Sequence, residues 1–94
     1  MGSIADEFTV WKFPFLIDDE CPIEMPGGAK VLYVDTQGGA VCLWALVNPS
    51  AQKELRNFCI RGTGHPLGAE RHTYHGSVQQ GPFVWHVFER DGAA

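Results

Sequence analysis

With 94 residues the chain has room for one domain and not for a second core, and its 45% hydrophobic content argues against a disordered chain. A net charge of -4, with only seven Lys and Arg spread along the chain, excludes a general affinity for nucleic acid, which needs many phosphate-neutralising cations. The longest apolar run, VCLWALV from Val41 to Val47, is too short to cross a bilayer, so no membrane partner is expected.

In chain order, Gly2, Ser3 and the Glu7-Phe8 pair look like the remnant of a cloning junction. Residues 1–8 are therefore read as a leader, residues 9–90 as a single β domain and residues 91–94 as a tail. The opening MGSIADEF is polar and acidic and lacks a secretory core. The three cysteines, Cys21, Cys42 and Cys59, form an odd set with no close pairing, which points to free thiols in a reducing cytosol. Cys42 and Cys59 sit in apolar runs and are expected as small core residues.

Thr9 to Ile17 is β-branched and aromatic, but Pro14 has no N–H for a ladder, which predicts an edge strand or a bend there. Asp18-Asp19-Glu20 reads as a polar turn. Cys21 to Met25, flanked by Pro22 and Pro26, is another edge candidate, and Pro26-Gly27-Gly28 is a turn. Ala29 to Gln37 alternates, which predicts Val31, Tyr33 and Asp35 on one face and Lys30, Leu32, Val34 and Thr36 on the other. Gly38-Gly39 then joins it to Val41–Val47 as an antiparallel hairpin. Asn48-Pro49-Ser50 turns the chain. Ala51 to Arg56 has helix-forming composition but is too short for a stable helix, so it reads as a loop with room for one helical turn. A strand over Arg56 to Arg61 follows, with Phe58 and Ile60 on one face and Cys59 on the other. Gly62 to Gly68 is the most loop-like stretch. Arg71 to Gln79 is extended, with Gly76 marking a bulge or close approach, and Phe83 to Glu89 closes the domain. Short strands at close intervals predict an all-β fold, a small antiparallel sandwich or barrel of about six to seven strands.

Two of these strands are apolar on both faces: Cys42–Val47 and Phe83–Phe88. A half-exposed antiparallel strand should alternate, so both faces need cover, and no convincing helix is present to give it. A Trp buries roughly 200 Å², worth about 5 kcal/mol at about 25 cal/mol per Å², so Trp44 and Trp85 are costly to leave in water. Cover from the chain's own loops would give a monomeric barrel, and a ligand could also supply it. Self-association is the preferred answer, with Trp44, Leu46, Phe83 and Trp85 as the interface.

Chemistry is sparsely signalled. His72 and His75 would share a face of a helix, but on a strand they point to opposite sides, and no CxxC or HExxH is present, so no metal or other cofactor is expected. Ser77 lies in no nucleophile elbow, and a buried Cys59 would be inert beside His65. No catalytic residue is assigned, and the expectation is a protein that is not an enzyme. The best ligand candidate is Arg61-Gly62-Thr63-Gly64-His65, where glycines let backbone N–H groups converge on an anion while Arg61, Thr63 and His65 add donors. The competing reading is a plain glycine-rich turn. Trp44 and Gln37 are further candidates for stacking and hydrogen bonding.

The strings TVWKFPF, IEMPGGAKVLYV, QGGAVCLWALVNP, FCIRGTGHPL and GPFVWHVFE, in that order from Thr9 to Glu89, resemble a family of small phage- and prophage-encoded proteins of unknown function. GTGHP and GPFVWHVFE are its specific parts. The resemblance carries over no catalytic residue. It implies a phage gene product acting in the host bacterial cytoplasm. By analogy with small phage proteins that counter host defence, the expectation is a homo-oligomer sequestering a small anionic, nucleotide-type ligand. The alternatives are an inhibitor or adaptor that binds a host protein, and a structural or accessory phage component.

Overall fold

The computed structural model describes residues 7–16 and 18–91. Seven strands follow one another: β1 (Thr9–Pro14), β2 (Glu20–Pro26), β3 (Lys30–Gln37), β4 (Ala40–Val47), β5 (Lys53–Gly62), β6 (His72–Gln80) and β7 (Phe83–Arg90). They form two antiparallel sheets, a three-stranded one ordered β1-β4-β3 and a four-stranded one ordered β2-β5-β7-β6. Neither closes on itself, so of the two predicted architectures the fold is the sandwich. No described residue is helical, and among the described residues no helix is long and apolar enough to cross a membrane.

Two glycine turns set the registers. Gly38 and Gly39 have φ of 60° and 83° between the paired residues Gln37 and Ala40. Two successive left-handed residues match the twist of a two-residue hairpin. Gly81, at φ 58°, precedes Pro82 between the paired Gln80 and Phe83. That order, a left-handed glycine first, is the other favoured hairpin turn. The core lies between the sheets and includes Val41, Leu43, Ala45 and Val47 of β4, Phe58 and Ile60 of β5, Met25 of β2 and Val87 of β7. The alternate residues of β4, Cys42, Trp44 and Leu46, face outward. Cys42 and Cys59 are fully buried, but they alternate with the core residues of β4 and β5 and so lie on the outer faces, not between the sheets.

Two expectations are corrected. Val31 and Val34 share the core face, because β3 carries a bulge: Val31 pairs with Ala45 and Tyr33 with Trp44, which leaves Leu32 as the extra residue. The strict alternation read from the sequence breaks at that point. The stretch Ala51 to Arg56 is not a loop with a helical turn either. From Lys53 onward it is strand, since Lys53–Arg56 pair with Ile23–Pro26. A neighbouring ladder outweighs the helical leaning of a few residues. Ile17, residues 1–6 with most of the expected leader, and residues 92–94 with most of the expected tail lie outside the described residues.

Every sheet edge is interrupted. β1 ends in Pro14, β2 carries Pro22 and Pro26, β3 has its bulge at Leu32, and β6 has one at His75, between Tyr74 and Gly76. Prolines and bulges are the usual devices against edge-to-edge pairing. The predicted bulge and the predicted close approach at Gly76 are both present. A methyl group there would overlap Val34 Cγ2 of the opposite sheet.

Candidate ligand-binding cleft

The cleft is built on the end of β5. Its last residue, Gly62, accepts a hydrogen bond from the His65 backbone N–H (3.0 Å), closing a four-residue turn. Gly64 occupies the third position at φ 89°, while Thr63 keeps a negative φ. A left-handed residue is required at that position of a type II turn, which is why the sequence has glycine there. Gly62 has a different reason. A Cβ on it would lie 3.1 Å from His65 Cε1 and 3.5 Å from Trp85 Cζ3, so the imidazole and the indole flank a bare backbone.

The facing wall is the start of β7. Phe83 stacks on Trp85, with ring centroids 5.4 Å apart and planes 22° from parallel. The Trp85 indole N–H donates to Gln80 Oε1 (3.0 Å), and the Gln80 amide donates to the Gly39 carbonyl (2.9 Å). The aromatic wall is thereby tied to the β3–β4 hairpin. Between wall and turn lies an open cleft of about 310 Å³, lined by Gly62, Thr63, His65, Phe83, Val84 and Trp85 together with Pro82.

The turn is held from behind on two sides. Thr63 Oγ1 hydrogen-bonds His86 Nε2 (2.8 Å), His86 Nδ1 bonds Ser77 Oγ (2.7 Å), and Ser77 Oγ bonds the Tyr74 hydroxyl (2.6 Å). Arg61 holds the other side. Its Nε donates to the Pro66 carbonyl (3.0 Å), and its Nη atoms donate to the Asp19 and Ile60 carbonyls and to the Glu20 carboxylate. Ser77 sits in mid-strand on a flat sheet face and shares its oxygen with Tyr74, so the Ser77–His86 pair braces the turn. Beneath this lattice of side chains, burial pushes the Cys59 thiol above its ordinary pKa.

Of the residues singled out from sequence, Thr63, His65, Phe83 and Trp85 line the cleft, and Gly64 forms the turn between the first two. Arg61 does not join them; its guanidinium is directed at protein acceptors. Trp44, Leu46 and Gln37 lie on the outer face of the other sheet, where Gln37 Oε1 accepts from Lys12 Nζ (2.8 Å). Sequence reasoning missed Val84, Pro82 and the brace through His86 and Ser77. A signal for the brace was present: a two-residue turn at Gly81-Pro82 pairs Gln80 with Phe83 and so sets Ser77 opposite His86. His72 and His75 do lie apart. His72 Nδ1 bonds the Glu70 carbonyl and its ring meets Phe88 edge-on, whereas His75 packs by Phe58 and donates to Glu89. Among the described residues, no three His, Cys, Asp or Glu side chains converge as metal ligands do.

Comparison with known proteins adds one finding. The model of a family described as Domain of unknown function (DUF7352) matches residues 7–94. The chain belongs to the DUF7352 family. The DUF7352 match takes in all seven strands, the turn at Gly62–His65 and both walls of the cleft. No curated protein and no solved structure matches the chain.

Proposed function

We propose that this DUF7352 member is a non-enzymatic binding protein whose cleft takes a small anionic ligand with a planar ring, of nucleotide type. The reading extends to a phage-encoded homo-oligomer that sequesters such a ligand in the host bacterial cytoplasm. One observation carries it: the Phe83–Trp85 stack, the Thr63 hydroxyl and the His65 imidazole face one cleft across a braced glycine turn. An aromatic wall gives a planar ring an apolar face, and His65, Thr63 and the turn backbone supply donors for an anionic group. About 310 Å³ is at the lower end of small-molecule sites, which suits a mononucleotide-sized ligand. The braces reduce the ordering cost of binding, because the turn has few conformations left to lose.

Calorimetry with cyclic nucleotides and ADP-ribose tests this reading. Phe83 and His65 are both exposed, so Phe83→Ala and His65→Ala leave the core intact. Each is expected to weaken binding about tenfold, consistent with loss of one stacking or charge-assisted contact. Absence of heat with every anionic ligand, from well-folded protein, counts against the reading. So does binding indifferent to both substitutions.

A further inference from the structure

We propose that His86 is a positioning residue for the cleft: through Thr63 it sets whether the turn offers the ligand a hydrogen-bond donor, and it takes up a proton when an anion binds. This rests on the anion-binding reading above and names the regulation of that same site. Tyr74, Ser77, His86 and Thr63 form a continuous chain of hydrogen bonds on the outer face of the four-stranded sheet, with spacings of 2.6, 2.7 and 2.8 Å. The strand registers fix its middle. Ser77 of β6 stands opposite His86 of β7 on one side, and Arg61 of β5 stands opposite it on the other, two residues before Thr63. The two ends of the chain differ. Tyr74 is 57% exposed, whereas Thr63 lines the cleft.

An imidazole between two hydroxyls gives such a chain a direction, and the ring protons decide which. A neutral ring has one N–H and one bare nitrogen. With the proton on Nε2, the ring donates to Thr63 Oγ1, Nδ1 accepts from Ser77, Ser77 accepts from Tyr74, and the Thr63 O–H is left for the ligand. With the proton on Nδ1 every bond reverses. Thr63 then donates its hydrogen to His86 and turns only lone pairs to the cleft, which repel an anion. A protonated ring donates from both nitrogens, so the Thr63 hydrogen is again left for the ligand. An anion held by Thr63 therefore selects the ring forms with a proton on Nε2. It also favours the charged one, since its oxygen sits about 5 Å from Nε2, two hydrogen bonds away. Other charged and titratable groups face His86 as well. β5 presents Arg61, paired with Glu20 of β2, which Arg90 of β7 also holds. β6 presents the Tyr74 phenol and, farther along, His72, and the turn adds His65. Arg61 donates to backbone carbonyls and to Glu20, which leaves the ring nitrogens to Ser77 and Thr63. By linkage, a ligand whose binding takes up a proton binds more tightly as pH falls through the range in which histidine changes charge.

Cyclic AMP and ADP-ribose are the probes, because their phosphate groups keep the same charge between about pH 5.5 and 8, where histidine titrates. NMR of the imidazole nitrogens in the unaltered chain is expected to find His86 Nε2 protonated once either probe is bound. Calorimetry is then carried out on His65→Gln, which lacks the cleft's own imidazole. Its affinity is expected to rise about fivefold from the alkaline to the acid end of that range, and titrations in buffers of different ionisation enthalpy are expected to show proton uptake on binding. Adding His86→Gln, which keeps an amide donor for Thr63, is expected to retain binding but abolish both the uptake and the pH slope, with circular dichroism verifying its fold. A brace with a purely structural role moves none of these readouts. A bare Nε2 in the bound chain overturns the inference, and that result does not depend on any variant folding. So does binding to His65→Gln that neither tightens with acid nor takes up a proton, or a slope that survives in the double variant. These three outcomes leave the cleft reading standing. No heat from either probe, with folded chain at both ends of the range, overturns the cleft reading and this inference together.

Discussion

Gly76 shows how much a single residue can decide in so small a sandwich. It sits beside the β6 bulge at φ 150°, and the space a Cβ would need is filled by Val34 Cγ2 from the other sheet. Gly76→Ala therefore forces a backbone or sheet displacement. It is expected to lower stability by about 2–3 kcal/mol, the scale of overpacking a tight core, measurable as a lower urea midpoint with an unchanged m-value. Val34→Ala in the same background opens the space and is expected to recover part of the loss, a coupling that a double-mutant cycle reads directly. The glycine was legible in the sequence as a bulge or a close approach. Its contact was not, because alternation put Val34 and Val31 on opposite faces. The bulge that reunites them, at Leu32, has no glycine or proline to announce it. At Gly64 the opposite holds: only glycine suits the left-handed third position of the turn, so the loop was readable from composition alone.

At the level of elements, β5, β6 and β7 are joined on the core side by one ionic cluster. Arg56 of β5 grips Glu89 of β7 with two hydrogen bonds, at 2.7 and 2.8 Å, and His75 of β6 donates to the same carboxylate at 2.9 Å. Burial alone would raise the Glu89 pKa, but the hydrogen bonds from Arg56 and His75 outweigh it and hold the carboxyl below its ordinary value of 4.5. A carboxyl lowered by folding contributes stability that is fully present above its unfolded pKa and is lost as pH falls through the folded one. The native chain should thus lose urea resistance below about pH 4.5, and Glu89→Gln should flatten that acid limb. At pH 7 the same substitution is expected to cost on the order of 2 kcal/mol, since it leaves Arg56 partly buried without its anion. None of this was legible beforehand. In the sequence Arg56 stands where a loop runs into a strand and Glu89 ends another strand, with nothing to pair the two. Ion pairs between residues distant in sequence leave no local pattern. The strands themselves were readable because turns punctuate them; Lys53–Leu55 escaped because what makes it strand is β2.

Across the whole molecule, the three cysteines sample three different layers, and that makes them reporters of how cooperatively the sandwich opens. Cys21 lies between the sheets in the core cluster, Cys42 on the outer face of the three-stranded sheet, and Cys59 on the outer face of the four-stranded one. The Lys12–Gln37 hydrogen bond spans from β1 to β3 and crosses β4 at the Cys42 row. Arg61, Glu20 and Arg90 form the ionic lattice on the face that carries Cys59. All three thiols are buried, and burial pushes those of Cys21 and Cys59 above their ordinary pKa, so native thiolate is scarce as well as inaccessible. Ellman's reagent is expected to label the native chain slowly at all three sites. Through a urea titration, labelling at each site should rise together with the loss of tryptophan fluorescence, as two-state unfolding of one small domain requires. Cys42 labelled well below the common midpoint would mean that the three-stranded sheet opens by itself. That result would separate the sandwich into two units, and would make the four-stranded sheet, with its ionic cluster and its brace behind the cleft, the part that persists.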